Sequence, residues 1–341
     1  MSIPAAPLTT PNAWLGEELQ DRSDWIEVLS AADIAELRDA LKAARATGRD
    51  IYDWTRKDFP LPGLGPRIAG WLAELEHGRG FILLRGFPVA EYSKEDCAGV
   101  YWGLGLHMGR AISQNTDGDL LGHVRDTGVD PKTYGVRLYK TRAEQDFHTD
   151  AADVIGLFCL RAAKAGGVSR IVSSVSIFNE MLRQRPDLVP ALFQSFPFDT
   201  QGQHRPGERA WFPLQLCRFT DGQLQTFFVP WYIRESQQHA DAPRLTPAQE
   251  GVIAFIEKTA NDPCFYLDMH FEPGDIQFLK NASVLHKRTE YEDFDEPDMK
   301  RHLLRLWLVD PIFSGGDELL RKGVERIADT VASQVKLEQS N

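Results

Sequence analysis

The stretch that most constrains this chain is Asp146-Phe147-His148-Thr149-Asp150, followed at once by the apolar run Val154-Ile155-Gly156-Leu157-Phe158-Cys159-Leu160. A histidine and a carboxylate two apart on extended backbone point the same way, because strand side chains alternate faces. One imidazole and one carboxylate on one face are two-thirds of a facial triad, the ligand set that suits non-haem Fe(II) and leaves positions open for oxygen chemistry. Alone, the motif is weak. Nine histidines and 49 acidic residues among 341 give roughly one His-x-Asp/Glu match by chance. The chain has three: His148-Thr149-Asp150, His239-Ala240-Asp241 and His270-Phe271-Glu272. The rest of the sequence has to choose between them.

Composition narrows the class without choosing. Apolar content of 43% and 26% charged residues suit a soluble globular protein with ample core. A net charge of −11 argues against nucleic acid or an anionic membrane as partner, but not against a small anionic ligand, which responds to local arginines. Cys97, Cys159, Cys217 and Cys264 are widely spaced with no Cys-x-x-Cys pair, so they read as reduced thiols rather than a zinc ribbon or redox dithiol. Neither a signal peptide nor an apolar run of about 18 residues is visible. The expectation is a cytoplasmic protein; homo-oligomerisation is left open.

Along the chain, Ser30-Ala31-Ala32-Asp33 opens a helical pattern through Ile34, Leu37 and Leu41. Pro60–Pro66 reads as a turn-rich connector before a helix over Ile68–Glu76, Gly80–Pro88 as a short buried strand, and Ser93–Gly105 as a third helix. Ile171–Val175 suggests a strand; Phe178–Arg185 and Leu188–Ser195 look helical. Residues 197–240 are aromatic and irregular, with strand candidates at Leu214–Phe219 and Gln225–Val229. Thr246-Pro247-Ala248-Gln249 starts a helix running to Ala260. Four strand-like runs follow: Cys264–Phe271, Gly274–Leu279, Ser283–Arg288 and His302–Val309. Leu319–Gln339 reads as a charged amphipathic helix. The expectation is one domain over 1–341. It has an N-terminal arm and helices over 1–79, a β-rich core over 80–312 with an insertion near 178–262, and a C-terminal helix over 313–341.

A facial triad needs a second, distant histidine. His286 is carried by the second strand of a strand-turn-strand unit from Gly274 to Thr289, and Arg301 to Leu308 follows as a strand with two arginines on one face. His239 lies in a polar loop and reads as a surface residue. His270 precedes a Pro-Gly turn and reads as a strand-end histidine.

Phe147-His148-Thr149-Asp150, Gly166-Gly167-Val168-Ser169, Gly274-Asp275 to His286, and Lys300-Arg301-x-x-x-Arg305, in this order, resemble the signature of the taurine dioxygenase/TfdA-like Fe(II)- and 2-oxoglutarate-dependent oxygenases. The resemblance spans about residues 80–310. It implies an α+β fold with a double-stranded β-helix (jelly-roll) core and flanking helices. It further implies Fe(II) held by His148, Asp150 and His286, with 2-oxoglutarate and O2 as co-substrates and succinate and CO2 as products. The prime substrate would be a small organic or amino-acid-derived molecule, with an anionic group as one option.

By the same resemblance Arg301 receives the distal carboxylate of 2-oxoglutarate, for which an arginine fork is suited. Relatives usually have Gly-Gly-x-Thr where this chain has Ser169. Serine keeps the hydroxyl and loses the methyl, so Ser169 is the expected co-substrate contact with Ser173 the alternative donor. Positions four apart on a strand are about 13 Å apart, so Arg305 would reach the substrate side or form an internal ion pair. Arg288, Gln114, Asn115, His123 and Trp231 complete the candidates. The aromatics Trp211-Phe212 and Phe227–Tyr232 would form either core or pocket. Related halogenases lack the carboxylate that Asp150 supplies, which disfavours halogenation. Two alternatives from other classes are a zinc hydrolase on the same three ligands, which leaves Arg301 and the Gly-Gly-x-Ser turn without a task, and a non-catalytic jelly-roll binding protein.

Overall fold

The computed structural model describes residues 3–313 apart from 116, 205 and 206; the helix expected over Leu319–Gln339 lies outside the described residues. Two sheets face each other. The larger runs Ile26–Val28, Phe81–Arg85, Ile276–Lys280, Val154–Arg161, His302–Val309 and Arg110–Ala111, with Leu121–Val124 also paired to His302–Val309. The smaller runs Tyr266–Met269, Ser169–Ser173, Val284–Arg288 and Gln145–His148. All these pairings are antiparallel except Ile26–Val28 with Phe81–Arg85.

Strand alternation sorts the core. Phe81, Leu83, Ile155 and Leu279 of the larger sheet pack between the sheets against Ile171, Leu267, Met269 and Val284 of the smaller. Ile82, Leu84, Phe158, Phe278 and Leu304 pack outward onto the helices Ala31–Ala46, Leu64–His77 and Lys94–Met108. Behind the smaller sheet, Val172 and Leu285 pack against Ser174–Gln184 and Pro247–Ala260. Covering both faces explains why His302–Val309 is buried along its whole length. This is a jelly-roll with flanking helices and a long insertion, an α+β fold. Among the described residues no helix is long and apolar enough to cross a membrane.

The capping boxes at Ser30/Asp33 and Thr246/Gln249 form as the sequence suggests. Other boundaries move for identifiable reasons. The second helix starts at Leu64 rather than Ile68, because the Glu36 carboxylate of a neighbouring helix accepts the Gly63 and Leu64 amides at 2.6 and 2.9 Å. Pro66 is tolerated there, since a first-turn residue has no helical partner for its missing N–H. The strand expected over Ile171–Val175 is Ser169–Ser173. Ser173 caps the next helix by accepting the Ser176 amide at 3.0 Å, so that helix begins at Ser174. Leu188–Ser195 yields only one turn, Val189–Leu192, before the strand Ser195–Asp199. The strand expected over Gln225–Val229 is Gln223–Thr226, and Pro230–Ser236 is a helix the irregular aromatic pattern did not disclose.

Two sheet-to-sheet crossovers lie side by side. Residues 149–153 link Gln145–His148 to Val154–Arg161, and residues 281–283 link Ile276–Lys280 to Val284–Arg288. They are joined where the Asn281 amide donates to the Asp153 carbonyl at 2.9 Å. Just before this junction Lys280, 3% exposed, pairs with Glu76 at 2.7 Å and donates to Gln223 Oε1 at 2.7 Å. Removing one member of a buried ion pair leaves the other charge uncompensated. Glu76→Ala is therefore expected to lower unfolding free energy by about 3–5 kcal/mol, and Glu76→Gln by less. Urea unfolding of the three proteins checks this; equal stabilities would contradict it.

Candidate active site

The two crossovers bring three side chains to one point. His148 ends its strand and pairs in register with His286 at the centre of Val284–Arg288. Asp150 does not continue the strand, as the two-residue spacing suggested, but sits in the crossover beyond it. The chain still turns its carboxylate back. Oδ1 is 3.9 Å from His148 Nε2, Oδ2 is 3.7 Å from His286 Nε2, and the two imidazole centroids are 4.2 Å apart. Among the described residues this is the one group of three or more metal-ligating side chains that converge, with all ligand atoms within 4.8 Å.

The surroundings fix the forms of His148 and Asp150. His148 Nδ1 lies 2.7 Å from the Asp146 carbonyl, so Nδ1 carries the hydrogen and Nε2 keeps its lone pair. Burial, then His286, pushes His148 down to about 3, keeping it neutral. Burial drives the Asp150 carboxyl upward, but Arg305 and the two histidines outweigh it and hold it well below the carboxylate range. Trp307 Nε1 donates to Asp150 Oδ2 at 3.0 Å. Asn281 holds the Asp150 peptide from both sides, accepting its N–H at 2.7 Å and donating to its carbonyl at 2.5 Å. Orienting groups of this kind typically contribute 10- to 100-fold in metal affinity. Asn281→Ala is expected to weaken Fe(II) or Co(II) binding by about that factor while the protein stays folded, as calorimetric titration and circular dichroism would show. Unchanged affinity would contradict it.

Two cavities open on this group. The wider, about 540 Å³, lies between the barrel and the insertion, with His148, Asp150, Trp231, Tyr232, Arg137 and Arg305 on its walls. The smaller, about 40 Å³, runs between the sheets past His148 and His286 to Ser169, Arg288 and Arg301. Arg301 and Arg288 are 4% and 7% exposed, and both guanidinium groups lie about 5 Å from the Tyr291 ring. Arg288 Nη2 donates to the carbonyls of Leu138 and Ala143. Arg301 Nη1 and Arg288 Nε and Nη1 are buried without a hydrogen-bond partner. Burial, then Arg301, lowers Arg288 to about 10.

The other expected residues divide clearly. Ser169 lines the smaller cavity and lies 3.3 Å from the Gln277 amide. Ser173 does not serve there: its hydroxyl donates to the Asn12 carbonyl and caps a helix. Arg305 touches both cavities and is held internally. Its Nε donates to Gln114 Oε1 at 2.6 Å, its Nη1 is 3.7 Å from Asp150 Oδ2, and it lies over Tyr139 and Trp307. Gln114 also donates to the Arg305 carbonyl at 2.8 Å, making it a support for that arginine. Asn115 spends its side chain on the turn to Asp119. Trp231 lines the wider cavity with its ring 5.2 Å from His148. His123 is exposed and pairs with His302 at 2.9 Å. His239 is 2.6 Å from the buried Asp199, and His270 is exposed. The aromatics split: Phe228 is core, whereas Trp211, Phe212, Phe227 and Tyr232 line the cavity. Arg137, Asn281 and Trp307 were not singled out in the sequence, and no local motif marks them.

A two-histidine, one-carboxylate face inside a jelly-roll, with buried arginines beyond it, defines a non-haem iron oxygenase of the 2-oxoglutarate-dependent class. Comparison with known proteins agrees. The model of the family described as "Taurine catabolism dioxygenase TauD, TfdA family" matches residues 28–307, and the chain belongs to that family. FR-33289 synthase of Streptomyces rubellomurinus is 31% identical over 307 residues, covering 89% of this chain and 90% of that one. A taurine hydroxylase-like protein of Stachybotrys chartarum is 31% identical over 320 residues, covering 90% and 80%. Among solved structures, asparagine oxygenase with Fe(II), 2S,3S-3-hydroxyasparagine and succinate superposes with a TM-score of 0.65 at 15% identity, covering 83% and 93%. The non-heme iron oxygenase OrfP with Fe and alpha-ketoglutaric acid gives 0.61 at 14%, covering 83% and 94%. The protein is an Fe(II)- and 2-oxoglutarate-dependent dioxygenase, which displaces the hydrolase and binding-protein alternatives.

Proposed function

We propose that this dioxygenase hydroxylates a small, anionic organic or amino-acid-derived molecule in the wider cavity, with His148, Asp150 and His286 as iron ligands and 2-oxoglutarate in the smaller cavity. The observation that carries the co-substrate placement is the pair of buried guanidinium groups with unpartnered N–H atoms beside the three ligands. A buried cation without an acceptor is costly, and a carboxylate satisfies it with charge-assisted, forked hydrogen bonds. Arg301 and Arg288 would thus share the distal carboxylate, with Ser169 beside them. On this reading Arg288 belongs to the co-substrate and not to the prime substrate.

Fe(II), 2-oxoglutarate and O2 together supply the oxidant for a C–H bond, releasing succinate and CO2. The protein's own residues perform the remaining tasks. His148 and His286 offer nitrogen donors, Asp150 offers the charge, Trp307 holds that carboxylate, and Asn281 holds the Asp150 backbone. Phe212, Phe227 and Trp231 give the wider cavity an apolar wall that orients a substrate and keeps water away. The prediction in solution is succinate formation by iron-loaded protein that is stimulated by small carboxylates or amino-acid derivatives, with a product 16 mass units heavier. Stimulation confined to uncharged compounds would remove the anionic part of the proposal.

A further inference from the structure

The wider cavity contains a cation that the reaction described above does not use. Arg137 sits half-buried in its wall, and the contact it makes is from Nη1 to the hydroxyl of Tyr232, a phenol and not an acid. Three other partly covered arginines fork onto carboxylates: Arg67 onto Glu27 and Asp33, Arg85 onto Asp275 and Glu272, and Arg170 onto Asp268. Arg137 has no such partner among the described residues.

The neighbouring charges do not supply one. Asp199 in the same wall accepts from Tyr134, His239, Gln201 and Gln238. Asp150 belongs to the metal face, and Glu208 is exposed at the rim. Arg305, the substrate-side cation expected from the sequence, is engaged by Gln114, Asp150 and two aromatic rings. Arg209 is exposed over Trp211. Among the described residues Arg137 is therefore a partly covered cation of this cavity with no carboxylate partner, in a wall that also carries Trp211, Phe212, Phe227 and Trp231. Tyr232 sits next to Trp231, whose ring touches His148, so the pair is close to the reacting end of the cavity.

Resting on the assignment of this cavity to the prime substrate, we infer that Arg137 and the Tyr232 hydroxyl form an oxyanion receptor that sets which molecules this enzyme accepts. The guanidinium offers forked donors that match a carboxylate or a tetrahedral oxyanion, and the phenol, whose oxygen accepts from Arg137, can turn its own hydrogen to the same group. A substrate anchored there presents its uncharged carbons along the aromatic wall toward the metal face. The receptor is distinct from Arg301 and Arg288, which lie in the smaller cavity.

The test uses anaerobic protein loaded with Fe(II) and 2-oxoglutarate and titrated with butyrate, propane-1-sulfonate or butyramide, read by broadening of the probe's proton resonances near the paramagnetic ion. Both anions should bind wild type more tightly than butyramide, or one of them should, which assigns the receptor as planar or tetrahedral. Arg137→Gln should weaken anion binding about 10- to 100-fold and leave butyramide unchanged. Arg137→Lys should fall between, and Tyr232→Phe should cost less than Arg137→Gln. Butyramide binding wild type as well as the anions do, or anion affinities unaffected by Arg137→Gln, would overturn the receptor. The visible band of the iron–2-oxoglutarate complex separates the two readings. If it is intact while the anions fail, the receptor alone is wrong; if it is absent from wild type, the co-substrate assignment falls and takes the receptor with it.

Discussion

Replacing Arg301 with methionine is expected to raise the dissociation constant for 2-oxoglutarate about a hundredfold or more, while the protein without co-substrate is no less stable. The two effects come from the same atoms. In the ligand-free protein Arg301 is a buried cation with an unpartnered Nη1, facing a second buried cation in Arg288. Burial pulls its pKa down, so the charge is held at a cost that an apolar side chain would not carry. In the placement proposed above, bound 2-oxoglutarate would give the same guanidinium two charge-assisted hydrogen bonds of about 1.5–3 kcal/mol each. Thermal unfolding with and without 2-oxoglutarate, beside 2-oxovalerate, which lacks the distal carboxylate, separates the contributions. Wild type should prefer 2-oxoglutarate strongly, and Arg301→Met should lose most of that preference. A variant that unfolds earlier yet keeps the preference would assign Arg301 a structural task.

Asp150→Ala is expected to abolish metal binding and turnover together. Asp150 supplies the one negative charge of the ligand group, and its oxygens face both imidazoles, the Trp307 indole and Arg305. Without it a divalent cation would meet two imidazoles and an uncompensated arginine, which repels it. Titration with Co(II), read by its visible absorption, should saturate in wild type and show no site in the variant, with succinate formation at background. Tight Co(II) binding by Asp150→Ala would remove Asp150 from the ligand set.

Much of this was legible in the sequence, because jelly-roll strands buried on both faces write themselves as apolar runs and capping residues are local. Val154–Arg161, Ile276–Lys280, Val284–Arg288 and His302–Val309 stand close to where hydrophobic patterning puts them. His148, Asp150 and His286 are brought together, although Asp150 reaches the group from a crossover and not from strand alternation. What the sequence withheld depends on distant partners. The start of the second helix is set by Glu36 from another helix, and the Asp150 peptide is held by Asn281, far along the chain. The engagement of Arg305 by Gln114, and the exposure of Arg137 to an apolar cavity, are properties of packing that no window of residues displays. Ser173 looked like an alternative to Ser169 because both are hydroxyls on one strand; only the fold shows that one caps a helix while the other lines the cavity.

The most direct measurement is an anaerobic titration of the metal-free protein with Fe(II) and 2-oxoglutarate, followed by visible absorption. A weak charge-transfer band that needs both components, disappears in His286→Ala, and requires far more 2-oxoglutarate in Arg301→Met would place iron at the three ligands and the co-substrate in the smaller cavity. A band that persists unchanged in both variants, or tight zinc binding with no band in wild type, would contradict that placement.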